Sequence, residues 1–154
     1  APANIHDPAG AVFVALAADA RIAAQMMAAV RAAARPGRRF LVKDHPMYPF
    51  AFEESGTIRR TRTVLAEQES LSAVIYSTST VGLESLLSGL PTLRFLPEGL
   101  IATDILPDGI AAPVADAASL DAVLDELTSC PEIARESVIA PVDLTVWRRY
   151  LLAA

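Results

Sequence analysis

AVIYSTSTVGLESLLSGLP, residues 73–91, sets four apolar residues of strand length against four consecutive hydroxyl residues. A segment of helical period follows, closed by Gly89 and Pro91. A continuous apolar run, rather than an alternating one, is the pattern of a strand covered on both faces, and a helix entered directly from its carboxyl end is half of a βαβ unit. Gly just past a helix and Pro soon after it are ordinary terminators, so a further strand is expected over 92–96.

Outward from this block the same alternation repeats. Residues 11–17 (AVFVALA) form a second continuous apolar run, expected as a central strand, and an Ala-rich helix is expected over 18–35, stopped by Pro36-Gly37. Residues 39–44 (RFLVKD) read as a strand closed by His45-Pro46, 47–56 as a surface loop and 57–62 as a weak strand. A short helix is expected over 63–71, loop over 97–109, a strand over 110–115 and a helix over 119–128 opened by a Ser119 cap. A last helix, 144–154, carries Trp147 and Tyr150 and stands apart from the βα rhythm, as an appendage packed on something else. The expectation is α/β: a Rossmann-like open parallel sheet in order 3-2-1-4-5-6 with helices on both faces. Length, 154 residues, suits a single domain over 1–154, and the abrupt opening on a strand reads as the C-terminal half of a longer two-domain protein.

Composition removes several classes of function. With 53% hydrophobic and 20% charged residues the chain is not a disordered one, yet no apolar stretch nears the roughly 20 residues of a membrane span. A net charge of -5 and only 6% aromatic residues argue against nucleic acid as a partner. Arg59, Arg60 and Arg62 are the local exception and read as a solvated strand face. Cys130 is the one cysteine, and His6 and His45 are far apart, so neither a disulfide nor a metal site is expected. No signal for export is present, which makes a cytoplasmic setting the default.

Two stretches carry chemistry. Ser77, Thr78, Ser79 and Thr80 fall at the carboxyl end of a strand and the start of a helix, where open α/β sheets bind ligands and where N–H groups and the helix dipole favour a phosphate. An ordinary helix cap is the plain alternative. Glu84 does not complete such a cap: with Thr80 as cap the reciprocal position is Leu83, and with Ser79 it is Gly82. Its carboxylate is placed to accept from paired sugar hydroxyls, or else simply to face the helix N-terminus. In Lys43-Asp44-His45-Pro46, the proline keeps His45 extended, so Lys43 and His45 project to one side, toward the same rim. Both can stabilise phosphate charge there. Other phosphate and hydrolase motifs are missing: the turn 17–19 has no Gly for a dinucleotide fingerprint, and neither a Walker A loop, a G-x-S-x-G elbow nor a D-x-D pair occurs.

KDHP at 43–46 together with STSTVGLESLLSGLP at 77–91 resembles the C-terminal, donor-binding half of a GT-B glycosyltransferase, over about residues 11–129. LESLLSGLP is similar to the LEAMACGLP stretch of many retaining GT-B enzymes, which implies that Glu84 grips the ribose hydroxyls. The earlier glutamate of that motif falls on Tyr76, so the closer likeness is to bacterial capsule and lipopolysaccharide transferases of sialyl-, Kdo- and CDP-glycerol type. That resemblance implies that Lys43, His45, Ser77, Thr78, Ser79, Thr80 and Glu84 bind a CMP-, CDP- or UDP-linked sugar with no metal or other cofactor. It implies a cytoplasmic enzyme, with a peripheral place at the inner membrane left open, whose N-terminal acceptor domain completes the cleft; no catalytic residue is identified in this half. A nucleotide-sugar epimerase-like or non-catalytic nucleotide-binding domain is the alternative, and a protein-interaction domain of flavodoxin-like shape is the second.

Overall fold

The computed structural model describes residues 6–130, 133–138 and 144–145. Six strands, β1 (His6–Ala15), β2 (Phe40–Lys43), β3 (Ile58–Arg60), β4 (Leu71–Tyr76), β5 (Thr92–Phe95) and β6 (Val114–Ala115), form one parallel sheet in the order β3-β2-β1-β4-β5-β6. This is the Rossmann-like open sheet and the strand order expected from the alternation of apolar runs.

Alternate residues of β1 explain why its run is unbroken. Val12, Val14 and Leu16 enter a core with the helix α1 (Ala20–Ala33) and the helix α3 (Leu120–Glu126). Phe13 and Ala15 enter a second core on the opposite face, with Leu65, Tyr76 and Leu90, against which Val81 of the helix α2 (Val81–Leu87) packs. Both faces are therefore dry, and every residue from 11 to 17 is buried. Near the start of β1 the register with β4 shifts between His6 and Ala11, where Gly10 lies so close to the facing strand that a Cβ would stand 2.8 Å from the Leu71 nitrogen.

Boundaries differ from the sequence expectation for local reasons. Asp19 is extended and caps α1 by accepting from the Arg21 N–H at 2.8 Å, so the helix starts at Ala20 rather than Ala18. It ends at Ala33, ahead of a turn over Pro36-Gly37 that Arg35 and Arg38 close. The helix expected over 63–71 is a single 3-10 turn, Leu65–Glu67: Leu65 is its one buried residue, and Leu71 is already fully buried in β4. β6 shrinks to two residues because Pro113, lacking an N–H, offers the sheet only its carbonyl, which accepts from the Arg94 N–H at 2.8 Å. The expected helix over 144–154, with Trp147 and Tyr150, lies almost wholly outside the described residues.

Gly89 ends α2 in a Schellman motif: at φ 73° it lets the Leu90 N–H donate to the Ser85 carbonyl and its own N–H to the Leu86 carbonyl. Two arginines past the end of α1, Arg35 and Arg38, both ion-pair with Asp121 and Asp125, one turn apart on α3. Ser119 does not cap α3 as expected. Asp116 does, its Oδ1 accepting from the N–H groups of Ala118 and Ser119 at 3.0 and 2.9 Å and from the Ser119 hydroxyl at 2.7 Å, while the Asp116 N–H donates to Ser119 Oγ. The Ser119 hydroxyl and these N–H groups hold the Asp116 carboxyl below its ordinary 3.8. A depressed folded value means that the ionised form favours the folded chain above the unfolded value, and that this is lost as pH falls through the folded one. Asp116→Ala is therefore expected to lower the melting temperature at pH 7, with the gap to the parent closing as melts are repeated below about pH 4.

Candidate functional site

Between β1 and β4 the sheet reverses its direction of winding, with α1 leaving on one face and α2 on the other. A crevice opens at the carboxyl ends of the strands at such a point. There a cavity of about 300 Å³ has the end of β1 and Leu65 as its apolar floor, residues 43–46 as one wall and Ser79, Thr80, Val81 and Glu84 as the other. Lys43, His45, Ser79, Thr80 and Glu84 thus meet around one space, whereas Ser77 and Thr78 do not line it.

The hydroxyl run divides by direction. Ser77 is fully buried and its Oγ donates to the Phe95 carbonyl at 2.9 Å, fastening the end of β4 to β5. Ser79 turns the other way, and its Oγ accepts from the Val81 N–H at 3.2 Å, so it caps α2 in the place of Thr80. The exposed Thr80 makes no cap bond, and among the described residues the side chains of Thr78 and Thr80 have no hydrogen-bond partner. Beneath the run, the Tyr76 ring is sealed against Gly82 in the first turn of α2. The Tyr76 hydroxyl is buried with no partner among the described residues, and burial, helped by the charge of Asp104, pushes its phenol up to about 12.

On the opposite wall, His45-Pro46-Met47-Tyr48 is a β-turn closed by the Tyr48 N–H on the His45 carbonyl. His45 Nδ1 accepts from the Met47 N–H at 3.3 Å, which leaves Nε2 to carry the ring proton as a donor. The ring also lies 5.4 Å from that of Tyr48. Lys43 is steadied by donating from Nζ to the Arg62 carbonyl at 3.1 Å. Asp44, quoted in the sequence motif without a role, is the wall's fastening: it pairs with Arg60 and accepts from the Phe50 N–H. Arg60 in turn donates to the Phe50 carbonyl and lies over the Phe52 ring at 4.1 Å. The arginines over 59–62 are therefore not one solvated strand face; Arg59 in β3 and Arg62 beyond it are exposed, and Arg60 is an anchor. The signal that could have found it is the nearby Asp44 at the end of the neighbouring strand.

Glu84 lies in the first turn of α2, exposed, with its carboxylate free of hydrogen bonds and ion pairs among the described residues. The cavity thus offers a cation and an imidazole donor on one wall and hydroxyls beside an open carboxylate acceptor on the other. Among the described residues no three His, Cys, Asp or Glu side chains converge as a metal centre requires, and no helix is long and apolar enough to cross a membrane. No family model, curated protein or solved structure matches the chain.

Proposed function

We propose that this chain binds the nucleotide of an activated sugar, as the donor half of a GT-B glycosyltransferase that builds surface polysaccharide. The observation that carries the reading is the meeting of Lys43, His45, Ser79, Thr80 and Glu84 around one cavity at the switch point of the sheet. Lys43, the His45 Nε2–H and the Thr80 hydroxyl would hold the phosphate, and Glu84 would accept from the ribose hydroxyls. A space of about 300 Å³ is at the small end for ligand sites and suits a ribose with its phosphate, leaving the sugar to a facing domain. That facing acceptor domain, in the same protein, would close the cleft and supply the base, at the cytoplasmic side of the inner membrane where such a polymer begins.

Calorimetric titration of the chain with CMP, CDP and UDP tests the reading. Saturable binding of at least one is expected, without added metal and without turnover of the corresponding nucleotide sugar. Heat of dilution alone for all three would leave the flavodoxin-shaped interaction domain as the better reading, and turnover above a heat-killed control would place the missing base within this chain.

A further inference from the structure

We infer that a second cavity, on the far side of the Lys43–Pro46 wall, binds an oxyanion separately from any nucleotide. This space, about 440 Å³, lies at the carboxyl ends of β2 and β3 and is lined by Lys43, His45, Arg60, Thr61 and Arg62, with Asp44 as its one carboxylate among the described residues. Asp44 is committed to Arg60, so the remaining positive excess is that of Arg62, which lines this cavity and not the first, and of Lys43, which the two cavities share, on a chain whose net charge is -5. In a concave surface such an excess concentrates anions.

The cations differ in how they are held. Arg60 is fixed by Asp44, the Phe50 carbonyl and the Phe52 ring, and Lys43 by the Arg62 carbonyl. The exposed Arg62 guanidinium has no hydrogen bond or ion pair among the described residues, so its five donors are open to a ligand. Planar donors of this kind pair two-fold with a phosphate or a carboxylate. Lys43 and His45 line both cavities, which puts the bound oxyanion next to the first cavity, at the distance of a neighbouring group rather than of a remote surface ion. The ligand class is therefore a phosphate- or carboxylate-bearing second substrate.

The test is an NMR titration of the chain with inorganic phosphate, and separately with acetate, at constant ionic strength. Saturable shifts at the amides of Thr61 and Arg62 are expected with at least one of the two, and the tighter binder tells a phosphate-bearing from a carboxylate-bearing substrate. Arg62→Gln, an exposed change that should not affect folding, is expected to weaken that binding roughly ten- to hundredfold, as the loss of charge-assisted hydrogen bonds does. Glu84→Gln is expected to leave it unchanged. Shifts that do not saturate, that map to Ser79 and Thr80 instead, or that survive Arg62→Gln unaltered would overturn the inference. Only the ligand's part as a second substrate rests on the nucleotide reading: failure of CMP, CDP and UDP to bind would sink that reading and leave the phosphate and acetate titrations to decide the oxyanion site.

Discussion

Gly82→Ala is expected to destabilise the fold by about 1–3 kcal/mol, although alanine in place of glycine inside a helix ordinarily gains about 1 kcal/mol. A Cβ at Gly82 would stand 2.5 Å from two carbons of the Tyr76 ring. The ring has no room to retreat, because Tyr76 is fully buried in the core beneath α2. In a chain of this size each kcal/mol moves the melting temperature by about 2–4 °C, so a thermal melt resolves the effect. Tyr76→Phe separates the ring from its hydroxyl: the hydroxyl has no partner among the described residues, so its removal is expected to leave stability unchanged or slightly raised. In a Tyr76→Leu background the added methyl should cost much less. A Gly82→Ala chain that melted at or above the parent would mean that ring and helix do not touch as described.

The second large effect concerns binding. Glu84→Gln is expected to weaken the nucleotide that binds best by about 1–3 kcal/mol, the range for hydrogen bonds to charged groups, while the urea midpoint stays close to that of the parent. Glu84 is exposed and its carboxylate supports no other described side chain, so little folding energy rests on it. If it served only the helix dipole, stability would fall by a few tenths to about 1 kcal/mol and binding would be untouched. The neighbouring hydroxyls sharpen the contrast. Ser79→Ala removes the cap on the Val81 N–H and should lose stability, whereas Thr80→Ala removes a hydroxyl with no described partner and should alter only binding. A loss of stability at Glu84, Ser79 and Thr80 together, with binding intact, would remove the physical support for the glycosyltransferase proposal.

Strand order and the burial of β1 and β4 were legible because short runs such as 11–17, apolar at every position and alternating with segments of helical period, suit strands covered on both sides. The convergence of 43–46 with Ser79, Thr80 and Glu84 was legible for the same reason, since strand ends in a parallel sheet share one edge. What each hydroxyl does was not. Four Ser and Thr in a row give no indication that Ser77 turns inward to Phe95 while Thr80 stays open; that depends on how β4 is aligned with β5, a relation between residues far apart in sequence. The pairing of Asp44 with Arg60 and the capping of α3 by Asp116 were missed for related reasons. The first joins neighbouring strands across a long loop, and the second exchanges the usual order of the two capping residues. The segment 63–71 misled because its composition tolerates a helix, although ahead of Leu71, which already belongs to β4, it has a single buried residue, Leu65, to hold one down.

The double pairing of Arg35 and Arg38 with Asp121 and Asp125 has a consequence for how evenly the molecule holds together. α3 has seven residues, too few to persist as a helix unaided, and Leu120 is its one fully buried side chain. Beside the partly buried Val123, Leu124 and Leu127, its attachment leans on charges whose carboxylates are about half exposed, within reach of dissolved ions, whereas β1 and β4 are held by dry contacts that ions do not reach. Two regimes of rigidity are therefore expected: amide exchange at β1 and β4 that is indifferent to ionic strength, and exchange over Leu120–Glu126 that speeds up as salt is raised, ahead of any global unfolding.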